Sequence, residues 1–138
     1  YLNKVAREPG VGLDAVPALL ARRGMPSVNE LRLFNSLSGE APDPDHPAHD
    51  FLIAHNARAV QAYAAGIRQQ MADGLAHPDL DPESVARHLI AVWNGLQSQW
   101  LTDPAFDLAD EIVQAWRRLT GQPAMEAKRA LEAVIDRI

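Results

Sequence analysis

The 138 residues contain no cysteine. That excludes a disulfide scaffold, a thiolate zinc site and a cysteine nucleophile, and it accords with a reducing compartment. Strand formers are scarce: threonine occurs twice, and valine, isoleucine and threonine total 17 against 23 alanines. The composition therefore points to an all-α fold. Lysine also occurs only twice, the 11 arginines are scattered, and the net charge is -5, so no basic stripe is present to neutralise nucleic-acid phosphates. No stretch approaches 18 apolar residues, and no basic segment precedes an apolar one at the start. Neither a membrane span nor a secretory signal is read, and the expected location is cytoplasmic.

What is present suits one packed domain over residues 1–138. Leucine, isoleucine, valine and phenylalanine make up 34 residues, and a chain of this length buries about two-thirds of its unfolded surface. Glycine and proline divide it into a bundle of about five to seven antiparallel helices. Residues 1–8 read as the end of a connecting helix and 13–23 as a short helix. The next opens with a capping box, Ser27 and Glu30, and closes at Gly39. Three prolines within 40–47 make that stretch a stiff connector. The longest helix is expected over 47–76, with Asp45 or His46 as its cap. A helix over 82–101 is opened by Asp81-Pro82-Glu83. Helices over 106–119 and 123–138 follow, separated by Gly121, and 122–138 is an additional C-terminal element.

Some segments look chemical but are read as structural. Asp43, Asp45, His46, His49 and Asp50 resemble a ligand set, yet the prolines make a connector the better reading, and no metal or other cofactor is expected. The serines have no base and orienting partner, and no Gly-x-Ser-x-Gly elbow or phosphate loop is present, so enzyme activity is not expected.

Three segments carry a family resemblance. They are Arg32-Leu33-Phe34-Asn35-Ser36-Leu37-Ser38-Gly39-Glu40-Ala41, then Asp43-Pro44-Asp45-His46-Pro47-Ala48-His49, and above all the run from Ala91 to Pro104, AVWNGLQSQWLTDP. In this order and spacing the chain resembles the C-terminal ligand-binding and dimerisation domain of TetR-type bacterial transcriptional regulators, over Leu31 to Leu119. The resemblance implies a helix-turn-helix headpiece upstream that carries DNA binding. It also implies a homodimer in which the helices at 82–101 and 106–119 pair with their copies, and a small effector whose binding shifts the dimer toward DNA release.

The residues themselves support parts of that expectation. Val85, Leu89, Trp93, Leu96 and Trp100 form one stripe on the 82–101 helix; Ala86, Ile90, Gln97 and Leu101 form another, and two stripes need two partners. Ile90, Asn94, Gly95 and Leu101, with Leu108, Ile112 and Trp116 of the next helix, are therefore the expected dimer interface. Gly95 costs up to about 1 kcal/mol in mid-helix, which fits close approach of a partner backbone. A mostly apolar effector pocket is expected between three helices. Phe34 and Leu37 would close it, His55, Ala59 and Tyr63 would line the long helix, and Trp93, Leu96, Gln97 and Trp100 would form the far wall. Tyr63 and Gln97 are the expected polar handles. A helical interaction module without a small ligand is the alternative.

Overall fold

The computed structural model describes residues 27–138; the helices expected over 1–8 and 13–23 lie outside them. Five helices follow in order among the described residues: α1 (Val28–Glu40), α2 (His49–Ala72), α3 (Pro82–Thr102), α4 (Leu108–Leu119) and α5 (Gln122–Ile135). No strand occurs among these residues, and none of the helices is long and apolar enough to cross a membrane.

Local chemistry explains most helix starts. The Ser27 hydroxyl accepts from the Glu30 amide at 3.3 Å, Asp81 from Ser84 at 3.2 Å, and Asp107 from Asp110 at 3.0 Å, each satisfying an amide that the first turn leaves without a helical acceptor. Asp107 sets the start of α4 at Leu108, two residues later than the apolar pattern suggests, and leaves Phe106 outside the helix. The long helix also differs from expectation. It begins at His49 behind Ala48, with no side-chain cap, and ends at Ala72.

The connector before α2 is held by its own polar groups. The Asp43 carboxylate accepts from the Asp45 amide at 3.0 Å, and His46 Nδ1 accepts from the Ala48 amide at 3.1 Å. That leaves Nε2 as the protonated nitrogen of His46, 3.5 Å from the Glu40 carboxylate. His49 Nδ1 donates to the Ala41 carbonyl at 2.7 Å. The histidines that looked like ligands thus brace the turn from α1 into α2.

α3 is the centre of the bundle: α2, α1 and α4 all pack on it, while α5 packs on α4. The core joins Ala64 and Ile67 of α2, Val85, Ala86 and Leu89 of α3, and Trp116 of α4, with Tyr63 and Met71 packed against it. A second tie joins the loop after α2 to the end of α4. The His77 amide, in the α2–α3 loop, donates to the Thr120 carbonyl at 2.9 Å. Gly121, with φ +67°, lets the chain turn there; a Cβ at this position would lie 3.0 Å from that of His77.

Candidate functional site

α3 carries the residues that sequence reasoning singled out most often. Trp93, Leu96 and Trp100 are half-buried on it, and Gln97 lies between them. Successive positions three and four apart share a helix face, so these side chains form one patch two turns long. Gln97 is only 2% exposed, but its amide keeps contact with solvent: the enclosed side-chain polar atoms without a partner among the described residues are Ser38 Oγ and Gln122 Oε1. A carboxamide that can donate twice and accept twice therefore stands among aromatic and aliphatic walls, able to orient a polar group of a guest.

α1 supplies the facing residues. It packs on α3, with Leu31 buried and Phe34 and Leu37 half-buried. Ser38, one residue beyond Leu37, has its Oγ buried without a partner. His55 of α2 joins this end of the bundle: its ring lies 5.4 Å from that of Phe34 and stacks at 5.8 Å on Phe51. The structure thus brings Phe34 and His55 together. Ala59 is half-buried farther along α2.

Tyr63 goes elsewhere. Its ring lies 5.9 Å from that of Trp116, tilted by 49°, against the central core. Burial pushes its phenol up from the ordinary value near 10, and the hydroxyl has no partner among the described residues. The ring is partly buried and packs against the central core beside Trp116.

The expected dimer residues also divide. Leu108, Ile112 and Trp116 are buried within the single chain. The physical reason is that α4 has one apolar face and turns it toward its own subunit, so these three belong to the core and not to a free surface. Ile90, Asn94 and Leu101 of α3 are half-buried, and Gly95 is exposed, with nothing within 4 Å of the place a Cβ would occupy. The second stripe of α3 therefore keeps surface that the chain itself does not cover.

An open groove of about 440 Å³ runs beside that stripe between α2 and α3. Ala57, Val60 and Ile90 give it an apolar floor, while Asn56, Gln61 and Arg87 give it a polar rim. A shallower one of about 390 Å³ lies at the end of α3, beside Ser98, Thr102 and Phe106. Tyr63 and Trp93 line neither groove. Among the described residues no group of three or more histidines or carboxylates is placed to hold a metal ion.

Two residues that sequence reasoning passed over prove central. Gln70, 1% exposed, accepts a hydrogen bond from the Trp116 indole, and Thr120, also 1% exposed, donates through its hydroxyl to the Trp116 carbonyl at 2.8 Å. The available signal was position: Gln70 stands seven residues after Tyr63, on the apolar stripe of α2.

These features define an all-helical bundle built around α3, with a half-buried aromatic patch and an unpartnered amide on that helix. No protein-family model, curated protein or solved structure matches the chain.

Proposed function

We propose that this chain is the effector-binding and dimerisation domain of a bacterial one-component transcriptional regulator, a repressor of the TetR type. The observation that carries the reading is the half-buried patch of Trp93, Leu96 and Trp100 around Gln97, a 2% exposed residue whose amide is open to a hydrogen bond from a guest. A small, largely apolar guest carrying one polar group would satisfy that amide and be covered by the aromatic side chains. The order and spacing of the three resembling segments support the same reading, as does the uncovered stripe of α3 at Ile90, Asn94 and Gly95, where a second copy would pack. DNA contact is assigned to a headpiece outside these 138 residues. The effector would act by binding one of two dimer arrangements more tightly than the other, since equal affinity shifts nothing.

The exposed apolar side chains Leu33, Phe51 and Ile53 near the α1–α2 end favour the second reading, a helical interaction module without a small ligand. Native mass spectrometry of the chain purified under mild conditions separates the two. The regulator reading expects a dimer mass with a retained small molecule, or a dimer whose tryptophan fluorescence responds to members of an apolar effector library. A monomer with no retained molecule and no fluorescence response overturns it.

A further inference from the structure

The least explained part of the molecule is α5. Gln122 and Met125 are buried against the body, and the two guanidinium nitrogens of Arg117 bind the Glu126 carboxylate at 3.0 and 2.9 Å. Beyond this anchor every residue from Glu126 to Ile138 is exposed. Polar residues would account for such a helix, but here Leu131, Val134 and Ile135 each keep more than half of their surface in solvent and Ile138 all of it. A helix of 14 residues is marginal in water on its own propensity. An apolar stripe on it implies a partner.

The spacing of the stripe says what kind. Ala127, Leu131 and Val134 of α5, with Ile138 in the turn that follows its end, recur at intervals of four, three and four, the spacing of the seam that one helix presents to another in a coiled coil. We propose that α5 pairs in antiparallel register with α5 of a second copy of this chain, Leu131 lying against the copy's Val134 and Ala127 against its Ile138. This register sets the smallest side chain of the seam opposite a large one at both ends, so the four layers fill evenly. A parallel pairing would set Ala127 on Ala127 and Ile138 on Ile138, leaving a gap at one end. Charge agrees with self-pairing. The helix carries Glu126, Glu132 and Asp136 against Lys128, Arg129 and Arg137, so two copies bring no net repulsion. Beside the antiparallel seam, Lys128 meets the copy's Ile135 and Arg137 meets its Ala130, so like charges do not face each other.

Four layers cover less than the roughly 800 Å² per partner of a standard interface, so the seam is one part of a larger contact between copies. The inference thus deepens the dimer reading above and rests on it, while naming a surface which that reading does not use.

The test exploits the absence of native cysteine. Ala127→Cys and Ile138→Cys chains, each exposed and each checked for native helicity, are made singly and co-expressed. Across the antiparallel seam residues 127 and 138 are neighbours, whereas two copies of either one lie more than about 10 Å apart, since the eight steps from Ala127 to Ile135 alone rise about 12 Å along α5 at 1.5 Å per residue. A disulfide needs Cα atoms within about 7 Å. Mild oxidation is expected to yield covalent dimers from the mixture and none from either variant alone. Leu131→Glu is expected to weaken the dimer by about ten-fold or more in sedimentation, as truncation of a central apolar contact does, with helicity unchanged. A dimer that persists without the mixed disulfide and is indifferent to Leu131→Glu overturns the pairing and leaves the dimer reading standing. A strict monomer at tens of micromolar overturns both. Binding of α5 to phosphatidylglycerol vesicles without any cross-link assigns the stripe to a lipid surface and overturns the pairing as well.

Discussion

The indole N–H of Trp116 donates to the side-chain oxygen of Gln70 at 3.2 Å, joining residues 46 apart in the chain inside the core. The bond lets α4 present a tryptophan to α2 and α3 without stranding its N–H. Trp116→Phe removes the donor and leaves the Gln70 oxygen buried and unpaired. The expected loss is about 1–3 kcal/mol in urea denaturation, and Gln70→Leu in the same background should recover part of it. Independent, additive losses would show that the two side chains are not coupled.

Tyr63 offers the opposite case, a half-buried ring whose hydroxyl has no hydrogen bond to lose among the described residues. Tyr63→Phe is expected to keep stability at neutral pH or raise it slightly. The pH dependence has a definite sign. The folded phenol titrates above its unfolded value near 10, so its contribution is complete below pH 10 and is lost as pH rises through the folded value. Thermal unfolding of the native chain should fall off more steeply above pH 10 than that of Tyr63→Phe. Parallel curves would contradict the burial argument.

Gln97 separates a structural amide from a binding one. Gln97→Leu replaces an amide that makes no side-chain hydrogen bond among the described residues and should leave the stability of the chain within about 1 kcal/mol of the native value. At the same time it should weaken binding of any effector found in a fluorescence screen, as should Trp93→Ala and Trp100→Ala. A clear loss of stability in Gln97→Leu would place the residue in the packing of the bundle instead.

Two glycines make contrasting predictions. Gly121 has φ +67° and its missing Cβ would sit 3.0 Å from that of His77, so Gly121→Ala is expected to cost about 1–2 kcal/mol through the left-handed backbone alone, lowering the melting temperature. Gly95 faces open space within one chain, so Gly95→Ala should stabilise the helix by up to about 1 kcal/mol. If a partner backbone packs there, the same change weakens the dimer in sedimentation, and an unaltered dimer removes Gly95 from the interface.

Arg117 and Glu126 set how firmly α5 starts on α4. The hydrogen bonds from Arg117 hold the Glu126 carboxyl below the usual carboxylate range. Its contribution is therefore present above the unfolded value near 4.5 and is lost as pH falls through the folded one. Protection of the α5 amides, their exchange measured against the intrinsic rate at each pH, should fall on acidification, and Glu126→Gln should show the lower protection already at neutral pH. Identical exchange in the two proteins would mean that Met125 alone anchors the helix.

Much of the secondary structure was legible because its causes are local. Ser27 and Asp81 cap the turns that follow them, Pro82 sits where a missing amide hydrogen costs nothing, and Gly121 supplies a left-handed residue between helices. The start of α4 was read too early because Phe106 belongs to the apolar pattern, whereas the first turn needs the Asp107 carboxylate. Helical periodicity also showed that α3 must be covered on two sides. It did not say by what. A stripe states that a face is apolar; only packing decides whether that face meets its own chain or another. So Leu108, Ile112 and Trp116, which look like interface by pattern, are core, while the stripe of α5 is left in solvent. Tyr63 lies on the apolar stripe of α2, but that its ring meets Trp116 is decided by the packing of the helices. Gln70 and Gln97 were the hardest to place. One finds an indole 46 residues away and the other no side-chain partner among the described residues, and that difference depends on which side chains the fold brings within hydrogen-bonding reach, a property of the tertiary arrangement that no local pattern encodes.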